Sequence, residues 1–345
     1  MSIRSWVSLG TLVFLGLIVY GARHEIEQAW NLLGTVNLWI LSLLIPIQIL
    51  SYFMAGETMF SYLRAKKVLG DISGMAQARM ALEMNFVNHV LPSAGVSGIS
   101  YMTWRMGKYG VTAGRATLAQ IIRYFMTFLA FATLLLISLV VITLDGRINR
   151  WIILMSAFLI IVMIIAIFGG IYLISKPSRY EKFARWLHRF TNRVVRIVTF
   201  GKVRSVVKER KAVEFFEEIH KDYLSVRTEK SLLRGPYFWG LAFTIFDALL
   251  FMTTFWALGV NVNPASVLIG FGLSAAVSSF VATPGGAGAY EVVMASFLVA
   301  TGVPDTVAIA GVVLTRVILL LGTIIFGYVF YQDALVRYGK PKSTS

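Results

Sequence analysis

Ala282-Thr283-Pro284-Gly285-Gly286-Ala287-Gly288-Ala289-Tyr290-Glu291 interrupts an apolar stretch that runs from Pro264 to Pro304. Proline removes a backbone donor and glycine admits conformations other residues avoid, so a helix reaching this point must unwind or reverse. A break of the same kind lies upstream. His89-Val90-Leu91-Pro92-Ser93-Ala94-Gly95-Val96-Ser97-Gly98 divides the region Asp71–Gly114 in the same way. Both regions are too long and apolar for loops, and too interrupted to be single spans.

The surroundings of these breaks are those of a bilayer. Hydrophobic residues make up 57 % of the 345, charged ones 14 %, and mean hydropathy is +0.73. A soluble domain carries roughly 25 % charged residues, so this composition excludes one. The reading is an all-α, polytopic integral membrane protein. Apolar runs place six spanning helices at about Trp6–Gly21, Val36–Phe60, Ala116–Leu144, Trp151–Ser175, Pro236–Leu258 and Thr306–Tyr331. With Cys 0, disulfides, thiolate metal sites and cysteine nucleophiles are excluded.

Charge sets the orientation. Lys and Arg number 32 against 17 Asp and Glu, and 16 of the 32 fall between Lys176 and Arg234. The positive-inside bias puts that segment in the cytoplasm. Arg64, Lys66 and Lys67 form a second basic end, and Arg337, Lys340 and Lys342 a third. Six spans with both termini cytoplasmic place all three inside, in a multi-pass protein of the cell membrane. Asp71–Gly114 then starts and ends inside, and Pro264–Pro304 starts and ends outside. Both read as re-entrant helical hairpins, dipping from opposite faces.

An internal symmetry follows. Residues 1–144 hold two spans, a hairpin (71–114) and a span with Arg123. Residues 145–345 hold two spans separated by a basic insert (176–234), a hairpin (264–304), a span with Arg316 and a short tail. Pro92 precedes Arg123 by 31 positions, and Pro284 precedes Arg316 by 32. Three spans per half invert the second copy, the architecture of many secondary transporters, in which paired broken helices mark the substrate site. The alternative is that both breaks are kinks packed against neighbouring helices.

Pro284 to Glu291 reads P-G-G-x-G-x-x-E, and on this motif the chain resembles the lysylphosphatidylglycerol synthase transmembrane family, the flippase-like part of the multiple peptide resistance factor. Asn88, Pro92, Gly95 and Arg105 resemble that family's first motif, and the likeness in layout covers about residues 6–332. The resemblance implies a lipid flippase-like transporter of a phospholipid, anionic or aminoacylated, or of a lipid-linked product. In full-length lysyl-lipid synthases a soluble transferase domain follows the membrane part. This sequence ends at Ser345, so aminoacyl transfer is not expected of it. The competing reading is a membrane enzyme or accessory subunit in lipid or polyprenyl-glycan synthesis, for which Glu83 is the candidate catalytic acid, beside Asn85, Asn88 and His89.

The candidate substrate site gathers Arg123, Arg316, Glu291 and Asp247 with Asn88, Pro92, Gly95, Arg105, Glu83, Pro284, Gly285, Gly286 and Gly288. Arg123, Arg316 and Asp247 lie inside apolar spans, where an unpaired charge costs about 2.5–3.5 kcal/mol. The two arginines are expected to flank a cavity between the hairpins and hold a lipid phosphate, bidentately, with Glu291 and Asp247 balancing their charge. A purely structural Arg–carboxylate pair is the alternative. Glu291 is placed where a helix begins, and serves as a cap, a headgroup or counter-charge contact, or both.

In the basic insert, Phe183, Trp186, Leu187, Phe190, Val194, Ile197 and Val198 share one helical face, and Arg185, Arg189, Arg193 and Arg196 the other. This is the pattern of a helix lying in the interface of anionic lipid, and too greasy for a nucleic-acid partner. A second, mixed-charge helix is expected around Glu209–Tyr223. Further candidate partners are another copy of the chain or a separate lipid-modifying synthase.

Catalytic motifs fail on inspection. Gly95-Val96-Ser97-Gly98 matches the G-x-S-G of rhomboid proteases, but the later histidines, His188 and His220, both fall in the basic insert, away from any membrane-embedded serine. His24-Glu25-Ile26-Glu27-Gln28 lacks the second histidine of H-E-x-x-H, and no P-loop occurs. No cofactor, metal site or catalytic residue is expected.

Overall fold

The computed structural model describes residues 36–69, 72–90, 96–144, 150–198, 209–278 and 287–339, together with Tyr20, Glu27 and Gly34. The expected first span lies almost wholly outside these residues, as do Pro92, Gly95, Pro284, Gly285 and Gly286 at the two breaks. Among the described residues all regular structure is helical. The chain is a polytopic membrane protein, and among the described residues five helices are long and apolar enough to cross a bilayer.

Helix α1 (Leu38–Ala65) opens on Asn37, whose Oδ1 accepts the N–H groups of Trp39 and Ile40. It re-forms at Leu43, because Pro46 has no N–H to give the Ser42 carbonyl. After it come α2 (Gly74–Val90), α3 (Val96–Gly107), α4 (Ala113–Leu144) and α5 (Arg150–Ile174). The basic insert forms α6 (Pro177–Val198) and α7 (Glu209–Thr228), and a 3-10 turn leads into α8 (Arg234–Ala257). The chain closes with α9 (Pro264–Ser278), α10 (Ala289–Ala300) and α11 (Asp305–Tyr338).

Helix α8 lies at the centre, packed on α1 and α4, with α9 and α11 also against it. The broken segments pack crosswise: α2 rests on α11, and α9 rests on α4. Contacts at helix ends sort the molecule into two faces. On one, Lys66 at the end of α1 bonds Ser225 of α7, Arg79 near the start of α2 pairs with Asp333, and Arg105 near the end of α3 lies 4.2 Å from the Tyr338 ring. The Arg64–Lys67 end, the basic insert and the end of α11 therefore share a face. On the other, the Asn37 N–H donates to the Ala257 carbonyl at 2.9 Å. There the start of α9 and the end of α10 meet the start of α11, through Val262, Val267, Leu298 and Ala308.

Lipid is as apolar as leucine, so close backbone approach and interhelical hydrogen bonds hold such a bundle. A Cβ on Gly327 would stand 2.5 Å from Phe86 Cβ, between α11 and α2. One on Gly272 would stand 2.2 Å from the Phe131 ring, between α9 and α4. Each crosswise contact is thus a phenylalanine against a glycine. Thr315 donates to Thr254 at 2.7 Å, and the hydroxyls of Thr133 and Tyr237 meet at 2.8 Å, tying α11 and α4 to α8. Helix α5 is the outlier, apolar almost all round and exposed along much of its length.

Gly327→Ala is expected to lower stability in detergent by about 1–3 kcal/mol through overpacking. Gly169→Ala, in open space on α5, should leave it unchanged or slightly raised. Thermal unfolding midpoints of the two variants read the difference.

Candidate functional site

Gly288, at φ +87°, turns the chain into α10, and Glu291 occupies the third helical position. The Gly288 N–H donates to Glu291 Oε2 at 2.7 Å, so the carboxylate satisfies a donor left free at the start of the helix. Its other oxygen, Oε1, accepts from Arg316 Nε of α11 at 2.8 Å. The guanidinium lies 4.3 Å from the centroid of the Tyr290 ring. Side-chain exposures of 22 % and 19 % leave the pair partly accessible rather than sealed.

A polar network adjoins this pair. Ser51 donates to Asp247 Oδ1 at 2.6 Å, linking α1 to α8. Gln48 Nε2 donates to Tyr52 Oη at 3.1 Å and to the Leu319 carbonyl at 3.0 Å, and the hydroxyls of Tyr52 and Thr323 bond each other. These bonds join α1 to α8 and α11 within the bundle. At about 1.5 Å per residue, Arg316 lies roughly 16 Å into α11 and Asp247 roughly 15 Å from the end of α8. That is about half of a hydrocarbon core of about 30 Å.

The counterpart beside α3 is built differently. Asn88 Oδ1 accepts the Gly98 N–H at 2.9 Å, so α2 caps α3 with a neutral amide. Only a glycine fits at 98, since a Cβ would fall 2.2 Å from that oxygen. Ser97 Oγ donates to the Val87 carbonyl at 3.4 Å, a structural bond between the arms. Helices α3 and α4 run antiparallel, with Thr103 beside Thr117 and the Gln120 amide donating to the Ile99 carbonyl at 3.1 Å. One turn further, Arg123 stands level with the start of α3, on the face that carries buried Ala119 and Met126. Its Nε is enclosed without a hydrogen bond among the described residues, and its guanidinium lies 4.3 Å from the Tyr124 ring.

Glu83 and Arg105 belong to another place. Glu83 is fully buried: its Oε1 takes Arg79 Nε at 2.9 Å, and its Oε2 takes Tyr101 Oη at 2.8 Å and Arg105 Nε at 3.0 Å. Arg79 also pairs with Asp333, so this network welds α2, α3 and α11 toward the basic face. Asp247 likewise takes its hydrogen bond from Ser51 rather than from an arginine. Gln48, Ser51, Tyr52, Tyr290 and Thr323 escaped the sequence reading. The first three recur at helical spacing inside an apolar run, a signal that could have flagged them. A groove of about 660 Å³ opens elsewhere, between α1, α2 and α8, lined by Phe53, Glu57, Arg64, Gln77 and Trp239.

The family described as the Lysylphosphatidylglycerol synthase TM region matches residues 7–327. A UPF0104 membrane protein of Methanothermobacter thermautotrophicus is 22 % identical over 314 residues, covering 90 % of this chain and 89 % of that protein. No solved structure matches significantly.

Glu291→Gln leaves Arg316 without its anion and is expected to lower stability by about 1–3 kcal/mol. The double variant with Arg316→Gln should lose less than the sum of the two single changes, as a coupled pair requires. A denaturation cycle of the four proteins in detergent measures the coupling, and strict additivity would show the pair to be incidental.

Proposed function

The chain belongs to the lysylphosphatidylglycerol synthase transmembrane family, and from that membership we propose that it carries a phospholipid or lipid-linked product between leaflets. It works without an ATPase of its own. In this reading α2–α3 and α9–α10 are re-entrant hairpins entering from opposite faces. Their lengths support it: helices of 12–17 residues reach about 18–26 Å, short of the hydrocarbon thickness. The crosswise contacts of α2 with α11 and of α9 with α4 fit an inverted repeat. The basic face is the cytoplasmic one in the cell membrane, carrying both termini.

One observation carries the proposal: two arginines stand beside the inner ends of two short helices at mid-membrane, and among the described residues only one has an internal anion. Glu291 neutralises Arg316. When Pro92 is aligned with Pro284, Ile99 falls at the position of Glu291, so the first half carries no acid there. Asn88, which caps α3 instead, is neutral. Among the described residues Arg123 therefore has no paired acid, where an unpaired charge costs about 2.5–3.5 kcal/mol. The phosphodiester of a lipid, bound at Arg123, offsets it, and a guanidinium suits that group because it stays charged and offers paired donors. The polar path of Gln48, Ser51, Tyr52 and Asp247 gives a headgroup hydrogen-bonding partners in oil. The enzyme reading loses support because Glu83 already serves two arginines and a tyrosine.

In vesicles containing phosphatidylglycerol, Arg123→Gln is expected to slow transbilayer movement of a fluorescent analogue about tenfold or more, with Arg123→Lys slowing it less. Ile99→Glu, which gives Arg123 a competing internal acid, should also slow it. Full-rate movement in folded, inserted Arg123→Gln protein would overturn the substrate role. Loss of function in Glu83→Gln, with Arg316→Gln unaffected, would favour the enzyme.

A further inference from the structure

Helix α6 is divided lengthwise into four strips. At about 3.6 residues per turn, Tyr180, Ala184 and Leu187 face α7, and Tyr180 and Ala184 are buried. Phe183, Trp186 and Phe190 form the next strip, ring on ring, at 5.5 Å and 5.4 Å between centroids. Phe183 also meets Phe216 of α7 edge-on at 5.4 Å, which fixes the stack to the insert. Trp186 and Phe190 nonetheless remain 52 % exposed each. Lys182, Arg185, Arg189 and Arg193 form a basic ridge opposite α7. Glu181, His188 and Asn192 complete the circle opposite the aromatic strip.

The insert is docked to the spans. His220 Nδ1 of α7 lies 2.7 Å from the Ile174 carbonyl at the end of α5, and Lys66 of α1 bonds Ser225. Arg179 Nη1 donates to the Tyr172 carbonyl at 3.1 Å, with its guanidinium 3.6 Å from the Tyr172 ring. Helix α6 is therefore held at the end of α5, where the apolar surface of that span gives way to the basic face.

We propose that α6 lies in the plane of the leaflet on the basic face, with Trp186 and Phe190 below the headgroups and Lys182, Arg185, Arg189 and Arg193 binding anionic phosphates. A stacked aromatic strip beside a basic ridge suits that boundary, where rings meet acyl chains and cations meet lipid phosphate. Charge selects the occupant. A second copy of the chain would present the same cations and repel, whereas an anionic leaflet is complementary. This surface is separate from the mid-membrane cluster and does not depend on whether the core moves lipid.

The absence of cysteine makes the test direct, since single cysteines can be introduced and spin-labelled in the full chain. Phe190→Cys and Asn192→Cys sit on opposite strips. In vesicles of phosphatidylcholine with a quarter phosphatidylglycerol, the label at 190 is expected to be reached better by oxygen than by a water-soluble nickel chelate. The label at 192 should show the reverse, with a several-fold difference between the two accessibility ratios. That contrast should shrink in pure phosphatidylcholine, at high salt, and in an Arg185→Gln, Arg189→Gln, Arg193→Gln background. A chelate-accessible label at 190 in anionic vesicles would overturn the proposal. So would a contrast equal in both lipid mixtures, which would mean apolar anchoring alone, or a label at 190 immobilised only at high protein density, which would mean self-association. Should the triple variant not fold, the wild-type arginine background in the two lipid mixtures decides alone.

Discussion

Hydrocarbon offers no hydrogen bonds, and that constraint decides where each charge of this protein can stand. Arg316 meets it with Glu291 and the face of Tyr290, and Asp247 meets it with Ser51. Gln48, Tyr52 and Thr323 meet it by bonding one another. Glu83 meets it most completely, with both oxygens engaged and no exposure. Arg123 is the exception: among the described residues its Nε has no hydrogen-bond partner, and on the proposed reading a lipid phosphate supplies the counter-charge.

The two short helices that end inside the bundle solve one problem by two means. Each leaves backbone donors free at its start, where the helix dipole is positive. Helix α10 receives its own carboxylate, from Glu291. Helix α3 receives an amide oxygen from Asn88 on the opposite arm. The hydrogen bonding is comparable, but the charge differs by one unit. The two helix starts therefore differ in charge, α10 carrying a carboxylate and α3 a neutral amide.

Much of this fold was legible in the sequence, since hydropathy and chain breaks are local properties. The expected spans at Ala116, Trp151, Pro236 and Thr306 start within a few residues of α4, α5, α8 and α11. Where the reading stopped short, at Phe60 and Tyr331, the helices run on to Ala65 and Tyr338, and Arg64, which pairs back with Glu57, and the Asp333–Arg337 pair stand in those extensions. The site was legible only by type. Glu291 with Gly288 could be read as a helix start, because a cap is a matter of spacing. Arg105 and Glu83 could not be read as a weld, because residue identity does not say whether a charge faces a neighbour or a ligand. Ser51 and Asp247, 196 positions apart, meet only through tertiary packing.

The Glu291 carboxylate also has a kinetic meaning. Held 2.8 Å from Arg316 by its own backbone, it acts as a tethered rival to any anion arriving there, at an effective concentration no free solute matches. On the proposed reading, a lipid phosphate reaching Arg316 would have to displace it, and the same carboxylate would compete to release that phosphate afterwards. Such a site would grip weakly and release fast, as the proposed carrier role requires and a storage role does not.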